Sequence, residues 1–197
     1  MAAGRAGAIV GALVGLSVYG LYRVFCNPRQ NRMAKNDMLV GESLNYAQKL
    51  YQLAPVCVTF DVQEVPKARH ADWDGTKNHV TIRIPPNMND VDREGQLAHE
   101  SFHILSPATL GDATYLDEGL AALLAARHRN YYPMPNDQKY CDALRLAEQL
   151  VTACPQSIAK LLSLRKRVAL VSANDIINAC NGFPPSDARL LARKFYQ

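Results

Sequence analysis

A pair of histidines within the segment His-Glu-Ser-Phe-His, residues 99–103, constrains this chain more than any other feature. Residues four apart lie on one face of an α-helix, so His99 and His103 would project side by side. Asn89 or Asp90 can cap such a helix. The apolar residues that recur in it at helical spacing are Val91, Gly95, Ala98, Phe102 and Leu105. The segment is therefore predicted to be a helix whose buried stripe is bordered by two imidazoles.

Two imidazoles on one helical face form a typical half-site for Zn²⁺, and a carboxylate from a second helix can complete it. Asp112 or Thr114 can cap such a second helix, and Glu118 then falls in its opening turn. Asp117 is the alternative ligand on that helix. Gly119 predicts a close approach to the histidine helix, because a glycine inside a helix otherwise costs about 1 kcal/mol relative to alanine.

Glu100 directly follows the first histidine and therefore flanks the predicted site instead of binding the metal. In an H-E-x-x-H pattern on a helix, this glutamate takes a proton from water at the metal. The predicted centre thus consists of one Zn²⁺, the ligands His99, His103 and Glu118, and the catalytic residue Glu100.

The motif at residues 99–103, followed by Asp-Glu-Gly-Leu-Ala at residues 117–121, resembles the gluzincin clan of zinc metallopeptidases. The short chain around it resembles the minimal members, sometimes called minigluzincins. The resemblance covers approximately residues 36–130. It implies that the chain hydrolyses peptide bonds, with Glu100 as general base. Many gluzincins have an aspartate four residues after the glutamate ligand, where this chain has Ala122.

Two segments upstream of the histidines are predicted to be strands. Residues 79–84 alternate between apolar and polar side chains and end at Pro85-Pro86, and residues 56–62 form the second segment. In the gluzincins, an edge strand of the N-terminal lobe pairs with an extended peptide. The resemblance therefore implies that substrate adds to residues 80–84, which are Val80, Thr81, Ile82, Arg83 and Ile84. The alternative is that this strand only covers the core.

The first 26 residues differ in character from the rest of the chain. Ala6 to Tyr22 contains no charged residue and approaches the roughly 17–25 apolar residues that span a bilayer. Residues 1–26 are therefore predicted to be a transmembrane anchor, with a cleaved signal peptide as the alternative. Gly7, Gly11 and Gly15 recur every fourth residue, which predicts a smooth face for possible self-association of the anchor.

Basic residues are concentrated around and after this segment. Residues 1–35 carry five basic and no acidic groups, whereas the remainder carries 17 basic and 18 acidic groups. Residues 27–38 are therefore predicted to be a basic linker at an anionic lipid surface, with the soluble domain in the cytoplasm. The five cysteines lack C-x-x-C spacing, which favours reduced thiols over a disulfide framework. Nothing in the charge pattern favours nucleic-acid binding.

Residues 39–197 are long enough for one domain with a buried core. The predicted class is α+β and helix-dominated, with a small N-terminal sheet packed on the histidine helix and a helical C-terminal part. Further helices are predicted over residues 36–53 and 137–152 and from Pro155, Ser172 and Ser186 onward. The loop over residues 129–135, with Tyr131 and Tyr132, is predicted to form a rim of the cleft.

Together these features predict a membrane-anchored zinc metallopeptidase that acts on a peptide or protein substrate. One alternative is a non-catalytic, membrane-tethered interaction module on a gluzincin-like framework. The other is a zinc hydrolase of a non-peptide substrate.

Overall fold

The computed structural model describes residues 28–53, 58–67, 69–74, 79–106, 112–168 and 170–196. The helices are α1 (Pro28–Leu50), α2 (Asp90–Leu105), α3 (Tyr115–Arg129), α4 (Gln138–Ala153), α5 (Ser157–Arg165), α6 (Ala173–Ala179) and α7 (Pro185–Leu191). The strands are β1 (Thr59–Glu64), β2 (His70–Asp74) and β3 (His79–Ile84). The prediction of a helix-dominated α+β fold is confirmed.

The predicted anchor at residues 1–26, including its glycine face, lies outside the described residues. Within the described part of the chain, every helix is too short or too polar to cross a bilayer. Helix α1 begins at Pro28, which is earlier than predicted. The basic linker predicted over residues 27–38 overlaps the first half of this helix from residue 28 onward.

The three strands form one sheet in the order β1-β3-β2. Strand β3 runs parallel to β1 and antiparallel to β2. One face of the sheet is apolar, since Val80, Ile82 and Ile84 are buried against Leu97 and Ile104 of α2. This face fixes the position of α2 relative to the sheet.

Strand β2 was not predicted, because its sequence His-Ala-Asp-Trp-Asp is largely polar. Its formation depends on pairing with β3 and on cross-strand contacts. Asp72 makes an ion pair with Arg83, and Ala71 and Trp73 pack on the apolar cluster beneath the sheet. Such contacts are invisible in a local pattern.

Helices α1, α2 and α3 pack side by side. Lys35 pairs with Asp90 at 3.2 Å, and the hydroxyl of Tyr51 donates to the carbonyl of Leu120 at 2.7 Å. The ring of Tyr51 also meets the edge of Phe102. Helices α1 and α2 therefore run parallel, with their N-termini at the same end of the domain.

A disulfide bond joins Cys154 to Cys180, with the Cα atoms 5.6 Å apart. These residues are the C-caps of α4 and α6, so the bond ties the ends of two helices that enclose α5. The expectation that the thiols are reduced is wrong for this pair, because the fold brings together two cysteines that are distant in sequence. Among the described residues, Cys141 is a free cysteine.

We expect Cys154→Ser to lower the free energy of unfolding by about 3 kcal/mol, because the bond closes a loop of 26 residues in the unfolded chain. Urea unfolding followed by circular dichroism measures this change. The matched control is Cys141→Ser, which should leave the midpoint nearly unchanged. A loss of similar size when wild-type protein is reduced would identify the bond itself as the cause, and no loss on reduction would contradict this assignment.

Candidate metal centre

Helix α2 places the two histidines as predicted. Its N-cap is Asn89, whose side chain accepts a hydrogen bond from the backbone N–H of Asp92 at 2.8 Å. The helix continues through His99 and His103 and ends at its C-cap, Ser106. Four members of the predicted stripe are buried, but Val91 is not, because it lies at the open first turn of the helix.

Helix α3 supplies the carboxylate. Thr114 and Asp117 form a reciprocal capping box, which confirms the second of the two predicted N-caps. Glu118 follows in the first turn and is only 2% exposed. A carboxylate at this position also lies at the favourable end of the helix dipole.

The two helices bring His99, His103 and Glu118 together. Nε2 of His99 lies 3.1 Å from Oε2 of Glu118, and Nε2 of His103 lies 3.7 Å from Oε1. One ligand atom from each residue falls within 4.8 Å of the other two. Ligand atoms arranged tetrahedrally around Zn²⁺ lie roughly 3.3 Å apart, so the group requires only a small side-chain adjustment to hold a metal ion.

The charges within this group reinforce one another. Burial alone would raise the pKa of Glu118, but the imidazoles of His103 and His99 and a hydrogen bond from Tyr196 lower it to about 2. Burial would likewise lower the pKa of His99, but its hydrogen bond to Glu118 and the charges of Glu118 and Glu100 raise it. Two nitrogens and one ionised carboxylate form a donor set that suits a divalent cation.

Glu100 belongs to α2, as the two histidines do, and its side chain is only 3% exposed. Its Oε1 accepts a hydrogen bond from Nε2 of Gln96 at 2.6 Å. Because Gln96 lies one turn earlier on the same helix, this bond fixes the direction of the carboxylate. The position agrees with the predicted one, next to the metal group and outside it.

Two tyrosines that were not predicted as site residues complete the surroundings. The hydroxyls of Tyr140 and Tyr196 lie 2.9 Å apart, and the Tyr196 hydroxyl is hydrogen-bonded to Glu118. The ring centroid of Tyr140 is 6.0 Å from that of His99. Burial and the nearby carboxylate of Glu118 raise the pKa of both tyrosines, so both hydroxyls remain proton donors. Tyr140 falls within the helix predicted over residues 137–152, but no sequence signal indicated that it or Tyr196 belongs to the site.

Backbone hydrogen bonds hold the segment before Tyr196 against the start of α3. The backbone N–H of Phe195 donates to the carbonyl of Ala113 at 2.7 Å, and that of Tyr115 donates to the carbonyl of Arg193 at 3.0 Å. Lys139 also donates to the carbonyl of Phe195. These bonds hold the Tyr196 side chain over the ligand carboxylate.

The loop after α3 carries Tyr131 and Tyr132, which were predicted to form a cleft rim. The ring of Tyr131 packs over Gly95, one turn from His99 on the same face of α2. Tyr132 is exposed. The contacts of Tyr131 therefore place the loop beside the metal group. Among the described residues, the tyrosine hydroxyls next to the ligands themselves are those of Tyr140 and Tyr196.

The predicted substrate-binding strand is wrong in its position within the sheet. Strand β3 lies between β1 and β2, so its backbone pairs on both sides. The apolar side chains of residues 80–84 are buried, Thr81 donates to Asp61 and Arg83 pairs with Asp72. Val80, Thr81, Ile82, Arg83 and Ile84 therefore offer no free edge to a peptide.

Asp117, considered as the alternative ligand, has a structural role. Its Oδ2 accepts hydrogen bonds from the backbone and hydroxyl of Thr114, each at 2.9 Å. Its Oδ1 accepts from the hydroxyl of Ser106 at 2.7 Å and lies 3.5 Å from Nε of Arg165. Asp117 therefore joins the end of α2 to the start of α3.

Gly119 does permit a close approach, but the neighbouring helix is α4, not the predicted α2. A Cβ at this position would collide with the backbone carbonyl of Ala143 and touch the side chain of Ala147. Helix α4 therefore lies directly against the helix that carries Glu118.

Comparisons of this chain with models of protein families, with curated proteins and with solved structures found no match. What can be inferred about function therefore follows from the residues of the metal group and their surroundings.

We expect Gly119→Ala to destabilise the fold by about 2 kcal/mol, because the added methyl group overlaps the backbone of α4. The matched control is Gly41→Ala in α1, where nothing lies within 4 Å of the added Cβ. That variant should gain up to about 1 kcal/mol from helix propensity. Thermal unfolding measures both, and equal effects would contradict the described contact.

We expect Asp117→Asn to cost about 3 kcal/mol, because it removes the charge that faces the buried guanidinium of Arg165. Asp175→Asn is the control, since Ser172 and Asp175 form the same capping box on a solvent-facing helix start. That change should cost about 1 kcal/mol or less. Urea denaturation compares the two, and a smaller loss for Asp117→Asn would show that the junction is not critical.

Proposed function

We propose that this protein is a membrane-anchored zinc metallopeptidase that hydrolyses peptide bonds. The observation that supports this most directly is the joint placement of His99, His103 and Glu118 around one point, with Glu100 buried beside them. Four chemically suitable side chains at the spacing of an H-E-x-x-H helix and a following carboxylate helix favour a hydrolytic metal centre over four unrelated polar residues.

Zinc is the metal that this donor set fits best. Two imidazoles and one carboxylate bind Zn²⁺ in many hydrolases, and three protein ligands leave one position open. When bound, the ion would polarise the substrate carbonyl and acidify a water molecule. The burial of Glu118 and the low pKa of its carboxyl group keep this ligand ionised before any metal arrives.

Glu100 is the proposed general base. Its carboxylate lies beside the ligands, and its hydrogen bond from Gln96 leaves acceptor capacity for a water molecule. We propose that Glu100 takes a proton from the attacking water and passes it to the departing amine. Burial within the group excludes bulk water from this proton transfer.

The hydroxyls of Tyr140 and Tyr196 are the proposed donors to the oxygen that becomes negatively charged during attack. They lie next to Glu118 and His99, and both remain protonated over the neutral range. Donors fixed in place before the reaction stabilise such an oxygen without having to reorient. Tyr196 would exchange its hydrogen bond to Glu118 for one to the substrate.

The substrate is proposed to bind in extended form along the outer side of β2. This strand packs against α2, as β3 does, and within the described sheet it pairs with β3 alone. An open strand edge beside the metal helix can accept a peptide through backbone hydrogen bonds. This location replaces the one predicted on β3.

Two features of the chain favour different locations for the domain, one on each side of the membrane. The basic residues that follow the predicted anchor favour the cytoplasm. The disulfide between Cys154 and Cys180 is typical of oxidising compartments. The proposed chemistry is the same on either side, because it depends only on the metal group.

A second candidate is a non-catalytic interaction module that holds a metal on the same framework. The observation that favours it is Ala122, a buried residue at the position where many gluzincins have an aspartate bonded to the first histidine. His99 contacts the ring of Tyr140, which does not supply a negative charge to raise the basicity of the imidazole.

We expect the purified chain to contain one zinc ion per molecule by elemental analysis, and His103→Ala and Glu118→Ala to lose it. Glu100→Gln should retain zinc and lose at least about 99% of its activity on a peptide panel, since a carboxamide does not accept the proton. Removal of zinc with a chelator should abolish hydrolysis, and added zinc should restore it.

The matched control for Glu100→Gln is Glu94→Gln, which makes the same chemical change earlier on α2, where Glu94 pairs with Arg129. That variant should retain both zinc and activity. Full turnover by Glu100→Gln would refute the mechanism. Stoichiometric zinc in an inactive wild type would favour the interaction module.

A further inference from the structure

A pocket of about 410 Å³ lies at one end of the sheet, and none of the proposed metal ligands lines it. It is formed where β1 and β3 end and where β2 and α2 begin. Its walls include Lys67, Arg69, Pro86, Asn89 and Asp92. We refer to it as the basic pocket, because two cationic side chains and one carboxylate line it.

The two cations of the basic pocket are available to a ligand. Both side chains are exposed, and among the described residues no carboxylate pairs with Lys67 or Arg69. The carboxylate of Asp92 is already bonded, since its Oδ2 accepts a hydrogen bond from Nδ2 of Asn89 at 2.7 Å. An ammonium group and a guanidinium group in one pocket can bind a carboxylate through charge-assisted hydrogen bonds. The basic pocket therefore suits an anionic ligand of this kind.

Lys67 carries its charge in a backbone conformation that favours glycine. Its φ is 64°, and it lies in the turn between β1 and β2. Glycine adopts this left-handed conformation at lower cost than any residue with a Cβ atom. The turn itself therefore does not require a lysine, which favours a role for the ammonium group.

The basic pocket and the metal group share one face of α2. Asp92, Gly95 and His99 follow one another at spacings of three and four residues. The ring of Tyr131 covers Gly95. Burial and the charge of Asp92 raise the pKa of the Tyr131 hydroxyl, and the charge of Arg69 opposes this rise. Tyr131 therefore lies between the basic pocket and the metal group.

A short length of extended chain separates the basic pocket from the metal ligands. Asp92 and His99 are seven residues apart in the same helix, which corresponds to about 10 Å at a rise of about 1.5 Å per residue. An extended peptide advances about 3.3 Å per residue and covers this distance with about three residues. A peptide that is cleaved at the metal group therefore presents a residue about three positions away to the basic pocket.

The direction of such a peptide follows from where β2 begins. Arg69 in the basic pocket directly precedes His70, the first residue of β2, so this strand runs away from the pocket. Antiparallel pairing is more stable per residue than parallel pairing. A peptide that pairs antiparallel to the outer edge of β2 has its C-terminal part at the basic pocket.

We propose that the basic pocket binds a carboxylate of the substrate about three positions on the C-terminal side of the cleaved bond. This carboxylate belongs to an aspartate or glutamate side chain or to the C-terminus of a short peptide, and both sources present the same planar anion to Lys67 and Arg69. The substrates are then acidic peptides. The inference rests on the proposed function, because it names the substrate class of the same metal centre.

The test uses the full, zinc-loaded chain and internally quenched peptides with an amidated C-terminus. The peptides share one sequence and carry either glutamate or glutamine at one of the positions that follow the cleaved bond. We expect kcat/KM to be about fivefold higher for glutamate near the third position, because two exposed cations act on one anion there. The values should be nearly the same at the other positions.

A further peptide ends at the preferred position with a free carboxylate and has no acidic side chain. Faster cleavage of this peptide than of its amide assigns the bound anion to the chain terminus. Faster cleavage of the amidated glutamate peptide alone assigns it to a side chain. Either result supports the proposal, and mass spectrometry of the products identifies the cleaved bond in each case.

Lys67→Gly and Arg69→Gln should each weaken the preference for glutamate, and the double variant should abolish it. Cleavage of the glutamine peptide should change little. Lys67→Gly also suits the left-handed backbone, so its effect does not arise from loss of folding. The matched control combines Lys166→Gln with Arg167→Gln, which removes two charges from the exposed end of α5 and should retain the preference.

Equal cleavage of the glutamate and glutamine peptides by the wild type would overturn the proposal and leave the peptidase proposal intact. An unchanged preference in the Lys67→Gly, Arg69→Gln double variant would also overturn it. Fluorescence anisotropy separates the two proposals, because Glu100→Gln should bind the labelled glutamate peptide about fivefold more tightly than the glutamine peptide. This difference beside an inactive wild type would refute the peptidase alone, and equal affinities would refute the basic pocket.

Discussion

The carboxylate of Asp117 is the interaction on which the metal group most depends. It accepts hydrogen bonds from Ser106 at the end of α2 and from Thr114 at the start of α3, and it faces the guanidinium of Arg165. The histidines lie on the first of these helices and Glu118 lies on the second. Because the two helices meet at one buried anion, the distance between imidazoles and carboxylate is set by the junction and not by the ligands alone. A metal ion would therefore find its ligands already close together, which lowers the cost of ordering them.

The sequence was sufficient wherever the deciding interactions are local. The deciding contacts of the two histidines four residues apart, and of the helix caps Asn89 and Thr114, lie within one turn of a helix. The structure has these residues as predicted. The helix-dominated class likewise follows from the periodicity of short segments. His99, His103 and Glu118 converge as predicted because the motif determines the first two and the capping box places the third in an opening turn.

The sequence was insufficient where the deciding contact joins distant segments. Nothing in residues 79–84 indicates that β3 has a neighbour on each side, because the second neighbour is the polar segment that became β2. The partner of Gly119, the pairing of Cys154 with Cys180 and the placement of Tyr196 over Glu118 all depend on how the C-terminal helices pack. These contacts become visible only after the helices have been arranged in space, since each involves residues that no periodic pattern connects.

Gly119 has a consequence for the geometry above the histidines. Because it lacks a side chain, the backbone of α4 reaches α3 at Ala143, and Tyr140 lies one turn earlier on the same face of α4. The ring of Tyr140 meets His99 from this position. The distance between the Tyr140 ring and His99 therefore depends on the absence of a side chain at Gly119. Any larger residue at this position would push α4 away from α3 and move Tyr140 away from the histidines, whatever metal or substrate lay between them.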